Sequence, residues 1–98
     1  MTCPDKIKLV GFIVPLLLAE DREDVWGEWD GRENTITLNA HASKDHLKVT
    51  LLHEAIHGID EFLGLNLKHS VVYALSQHIW LMFKENPELA QWFFEDDD

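Results

Sequence analysis

At 98 residues the chain has room for one small domain, and a hydrophobic content of 46% lies in the globular range and excludes wholesale disorder. The formal net charge of -10, from 18 acidic against 8 basic side chains, disfavours nucleic acid and anionic membrane surfaces as partners, because both repel it. The single cysteine, Cys3, excludes an intrachain disulfide and fits a reducing, cytoplasmic setting in which it is an incidental free thiol.

The first predicted element is a strand over Lys6 to Val14, rich in β-branched and aromatic residues and ended by Pro15, with Leu16 to Leu18 continuing it beyond a kink. The apolar segment Leu9 to Leu18 imitates the core of a signal peptide behind Lys6 and Lys8. However, Pro15 interrupts it, no small-x-small site precedes Glu20, and it is too short to span a bilayer. A charged connector, Glu20 to Asp24, leads to a hairpin. Val25 to Trp29 and Thr35 to Leu38 alternate as strands do around Asp30-Gly31, a dipeptide that favours turns. Trp26, Ile36 and Leu38 are the candidates for its buried face.

Ser43 is the expected N-cap of a helix over Lys44 to Leu63, and Gly64 its C-terminal stop. Leu47, Leu51, Leu52, Ala55, Ile56, Ile59, Phe62 and Leu63 recur at steps of three and four, an amphipathic stripe. A second helix follows from about Leu67 to Glu85, with Val72, Leu75, Ser76, Ile79, Met82 and Phe83 as its stripe. Asn86 and Pro87 then stop it and recap a short last helix, which Leu89, Trp92 and Phe93 should anchor to the body. The expected organisation is one α+β domain over residues 1–94 and a solubilising acidic tail, Glu95 to Asp98.

The first helix carries the chemistry. His53-Glu54-Ala55-Ile56-His57 spells H-E-x-x-H, and residues four apart share a helix face, so two imidazoles can reach one metal ion. Both histidines lie off the centre of the apolar stripe, toward a different layer from the one the stripe buries. Glu54 beside them is the candidate general base and later proton donor. Two histidines leave zinc short of ligands, since catalytic sites offer three protein ligands and keep a position for water. His69 is the best candidate for the third, because it opens the second helix beyond the Gly64-Leu65-Asn66 reversal; Glu61 and Asp60 are the alternatives. Asp60 could also orient a ligand ring through its other nitrogen, and Tyr73 could donate to a developing oxyanion. His46, two turns before His53, is too far to share the ion and could line a substrate groove. His41 and His78 show no partner pattern.

Leu51-Leu52-His53-Glu54-Ala55-Ile56-His57 resembles the active-site helix of small zincin metallopeptidases, and Thr35-Ile36-Thr37-Leu38-Asn39 resembles the strand preceding it in SprT-like and ImmA/IrrE-like peptidases. Short phage and prophage proteins of this type also show the His57-Gly58-Ile59-Asp60 pattern and a second helix ending in Asn-Pro-Glu, here Asn86-Pro87-Glu88. The resemblance implies a minimal zincin-like fold, about three strands including a hairpin followed by the H-E-x-x-H helix and a helix supplying the third ligand. It implies a zinc ion on His53 and His57, Glu54 as base, and a third ligand at the position of His69. The substrate would be a peptide or protein, bound by β-augmentation along an exposed edge such as Val25 to Trp29. An alternative is a non-catalytic zinc-binding module that docks a host protein. A histidine-triad ribonuclease is disfavoured by the charge and by Glu54.

Overall fold

The computed structural model describes residues 2–21 and 25–96, so most of the expected charged connector and the last two tail residues lie outside the described residues. Within them the protein is α+β, with four strands in a mixed sheet and three helices. Strands β1 (Lys6–Leu9) and β2 (Phe12–Ala19) form a hairpin rather than one strand with a kink. The break falls at Val10-Gly11, both in the left-handed region at φ 51° and 83°, as a two-residue turn of the mirror-image kind requires. Glycine announces such a turn, but a valine beside it in a hydrophobic run does not, which is why the sequence reads as continuous.

β2 changes partner at Pro15. Phe12 to Pro15 pair antiparallel with β1, and Leu16 to Ala19 pair parallel with β4 (Thr35–Asn39). β3 (Gly27–Asp30) pairs antiparallel with β4 and ends the sheet, whose order is β1-β2-β4-β3. Val14, Leu16, Ile36 and Leu38 form the buried inner face together with Leu9. Trp26 does not join them. It precedes β3, is 54% exposed, and packs its ring at a tilt against His46, with centroids 4.2 Å apart.

Helix α1 (Lys44–Leu63) lies across the inner face of the sheet, with Leu47, Leu51, Ala55, Ile59 and Phe62 packed on the core. The Ser43 hydroxyl accepts the His46 N–H, and Gly64 closes the helix at φ 63°. The close approach depends on two glycines. A Cβ on Gly58 would meet Leu9 and the Trp29 ring at 3.0 and 3.1 Å, and one on Gly27 would meet Thr50 Cγ2 at 2.5 Å.

Helix α2 (His69–Glu85) packs on the side of α1 turned away from the sheet and, among the described residues, touches no strand, so the layers are sheet, α1, α2. Val72 and Ser76 are fully buried against α1, whereas Leu75 and Met82, expected in the same stripe, are exposed. With only one neighbour layer, α2 buries a narrow strip and not the broad face its apolar residues suggest. Lys84 pairs with Asp45 across the two helices. Among the described elements, helix α3 (Pro87–Phe93) contacts α2 alone, and Leu89, Trp92 and Phe93 remain largely exposed instead of anchoring it. The Asn86 amide donates back to the Met82 carbonyl and makes no N-cap bond. Among the described residues no helix is long and apolar enough to cross a membrane.

Candidate metal centre

His53 and His57 occupy successive turns of α1 on the flank that meets α2. Their Nε2 atoms converge to 3.1 Å, a separation that helical spacing alone makes accessible. His69 enters from the first turn of α2, its ring centroid 4.9 Å from that of His53 and 5.2 Å from that of His57. The chain reaches this position through Gly64 and Asn66, both at positive φ. Asp60 fastens the reversal: its backbone carbonyl accepts the Gly64 and Leu65 N–H groups, and its carboxylate accepts the Leu67 N–H at 3.1 Å. Asp60 therefore holds the loop that delivers His69, in place of the expected bond to a ligand ring. Glu61, the other alternative ligand, accepts a hydrogen bond from the Trp29 indole.

One ligand nitrogen from each of the three histidines lies within 4.8 Å of the others. Tetrahedral zinc, with Zn–N near 2.1 Å, spaces its nitrogens by about 3.4 Å. The His53–His57 pair nearly meets that spacing as it stands, and exposed His69 needs a shift of roughly 1 Å, within side-chain adjustment. The donor set suits the metal chemically as well. Burial, then the neighbouring histidines, push the His53 pKa below its ordinary value; burial and His69 do the same for His57 against an opposing pull from Asp60. The shifts favour the neutral ring in both, the form that donates a lone pair.

Behind His53 sits Ser76, which sequence reasoning placed only as a member of the α2 stripe. Its hydroxyl donates to the Tyr73 carbonyl at 3.0 Å, and its oxygen lies 3.5 Å from His53 Nδ1. A serine whose proton is committed to a carbonyl offers its lone pair to an N–H, which favours the Nδ1-protonated ring and leaves Nε2 free for a metal. The only hint in the sequence is a hydroxyl at the centre of an apolar stripe.

Glu54 is buried between α1 and β3 and its carboxyl is pushed up to about 7. Burial is the main cause and the nearby Glu28 charge adds to it, while a hydrogen bond with the Trp29 backbone opposes both. Gly27 makes this placement possible, because any side chain there would occupy the space of Thr50 and Glu54. A glycine between two tryptophans is the available signal, and strand periodicity gives it no role beyond its place in the strand.

The histidines and Glu54 line a cleft of about 880 Å³ bounded by Glu28 and Trp29 of β3 and by Asn66 of the α1–α2 loop. A smaller cavity of about 340 Å³ continues past His53 and Glu54 to Trp26, His46, Val49 and Tyr73. His46 thus lines the extension of the cleft, two helical turns before His53. Tyr73 is exposed, with its ring centroid 6.3 Å from that of His53. The Asn39 N–H donates to the Trp26 carbonyl, so in the antiparallel ladder Gly27 and Trp29 turn their backbone groups away from β4 and toward the cleft.

Comparison with protein-family models, with curated proteins and with solved structures yields no match to this chain.

Proposed function

We propose that the protein is a zinc-dependent peptidase built on a minimal zincin-like fold. The observation that carries this reading is the convergence of His53, His57 and His69 beside buried Glu54, in a cleft bordered by the free edge of β3. His53, His57 and His69 would hold the ion, and neutral imidazoles at this spacing suit it. When bound, zinc supplies Lewis acidity that acidifies water toward a pKa of about 7 and polarises a carbonyl.

The remaining work falls to the chain itself. A carboxyl that titrates near 7 is poised to take a proton from water and return it to a leaving amine, and Glu54 is such a group at the floor of the cleft. The outward backbone groups of Gly27 and the Trp29 carbonyl would offer hydrogen bonds to an extended peptide laid along β3, the Trp29 N–H being held by Glu54. Tyr73, which lines the adjoining smaller cavity beside His53, would be the donor to the scissile carbonyl oxygen. A second reading, a zinc-held module that binds a partner without turnover, draws on the exposed aromatic side chains of α3.

Metal analysis of the purified protein tests the site. One zinc per chain is expected, lost in His53→Ala and His69→Ala; retention of full zinc in His69→Ala would remove that residue from the ligand set. Incubation with a mixed peptide library read by mass spectrometry tests the reaction. Glu54→Gln should keep zinc and fold while cleavage stops, and identical product patterns from wild type and Glu54→Gln would eliminate the peptidase reading.

A further inference from the structure

Helix α2 carries a second apolar stripe that the fold does not use. Val71, Leu75, His78 and Met82 follow one another at steps of four, three and four, the spacing of a helix seam that packs against another helix. At about 100° per residue they span about 60° of the helix surface, centred roughly 100° away from the strip of Val72, Ser76, Ile79 and Phe83 that faces α1. Val71, Leu75 and Met82 are 40%, 43% and 44% exposed, and Ala74 and Leu81 widen the same face. Among the described residues neither the sheet nor α3 covers it: α2 touches no strand, and Phe93 and Phe94 of the C-terminal segment pack on Phe83, in the strip about 100° around the helix.

The ends of the stripe say what covers it. Lys68 stands at its N-terminal end and Glu85 at its C-terminal end, and among the described residues neither has an ion-pair partner. No charged residue interrupts the seam between them. A second copy laid antiparallel on this face, with its two-fold axis passing between Ser76 and Gln77, sets Val71 against the partner's Met82 and Leu75 against the partner's His78. The same register brings Lys68 to the partner's Glu85 at both ends of the seam. A parallel arrangement would instead oppose lysine to lysine and glutamate to glutamate. We infer that the chain forms a two-fold dimer through antiparallel pairing of α2 along Val71, Leu75, His78 and Met82, closed at each end by Lys68 and Glu85.

The pairing is self-complementary, as an isologous interface must be. It opposes the repulsion of two chains of net charge -10, but that repulsion is screened beyond about 8 Å at physiological salt. His69 and Ser76 lie on other faces of α2, so the dimer leaves the cleft open and does not depend on the metal reading. A seam of one helix pair is a small interface, below about 1,200 Å², and dissociation constants in the micromolar range go with it.

Sedimentation velocity of the full chain at about 150 mM salt and from about 5 to 500 µM protein tests the inference across that range. The expected result is a concentration-dependent rise from the 11.4 kDa chain mass to twice that value. Leu75→Glu should abolish it with unchanged helical circular dichroism, and the milder Met82→Ser should weaken it about tenfold. Lys68→Glu should weaken dimerisation several-fold, and adding Glu85→Lys should restore it, because the reversed charges meet only across an antiparallel pair. A monomer at every concentration, a dimer indifferent to Leu75→Glu, or a charge reversal without rescue would each overturn the inference. The first of these would leave the stripe to an unrelated partner.

Discussion

Ser76 is fully buried in a helix interface where an apolar side chain would pack at least as well, so its hydroxyl invites a reason. Its position behind His53 Nδ1 supplies one: its lone pair favours a proton on that ring nitrogen. Ser76→Ala should leave the thermal stability of the metal-free protein unchanged or slightly raised. It should weaken zinc binding by about 10- to 100-fold, read by competition with a chromophoric chelator. An unchanged affinity would show that the hydroxyl has no hold on the ring. Glu54 is the second costly burial. Because folding raises its pKa from 4.5 to about 7, the folded state prefers the protonated carboxyl. The residue is therefore tolerated below pH 4.5 and progressively destabilises the metal-free protein as pH rises through that window to 7. With metal removed by EDTA, Glu54→Gln should be more stable than wild type by about 1–3 kcal/mol at pH 8 in urea denaturation, and the gain should vanish near pH 4.

The elements meet where side chains are missing. Gly27→Ala would press a methyl group onto Thr50 Cγ2 and crowd Glu54 Cγ, with α1 and β3 unable to separate cheaply. A loss of about 1–3 kcal/mol is expected, and Thr50→Ser, which deletes the obstructing methyl, should recover most of it. The β1–β2 turn offers the opposite case. Val10 is half exposed and held at φ 51°, so Val10→Asn should raise stability by about 1 kcal/mol in the same assay. These two positions also show what the sequence made legible. The helix carrying the histidines was readable to its ends, because a serine cap, a glycine stop and a sustained stripe agree along it. The β3–β4 hairpin and the converging histidines were readable for similar reasons of spacing. The β1–β2 turn was not, since a valine in the left-handed region contradicts its own preference. Nor were Ser76 and Gly27 as parts of the site, because their roles exist only once α2 and β3 are packed on α1. The outer face of α2 misled for a third reason: helical periodicity marks apolar faces without saying whether the chain itself covers them.

At the scale of the whole molecule, α1 is the only element among the described residues that links the sheet and α2. A metal ion on His53, His57 and His69 would tie α2 to α1 at a second place beyond their packing. At a hundredfold excess over its dissociation constant the ion adds about 2.7 kcal/mol to stability. Chelation by EDTA should therefore speed amide hydrogen exchange across Val72 to Phe83 while leaving β2 and β4 nearly unchanged; uniform acceleration throughout would mean that the two layers open together. The contact of Leu9 with Gly58 bears on the smallest chain that could work. Every proposed ligand and the base lie between Gly27 and Glu85, so a segment starting at β3 holds the full set of reactive groups. Yet Leu9, from the N-terminal hairpin, rests against the residue next to His57, and removing β1 would take away the floor on which that turn of α1 sits. A designer transplanting this centre would need to carry the first hairpin along with the histidines.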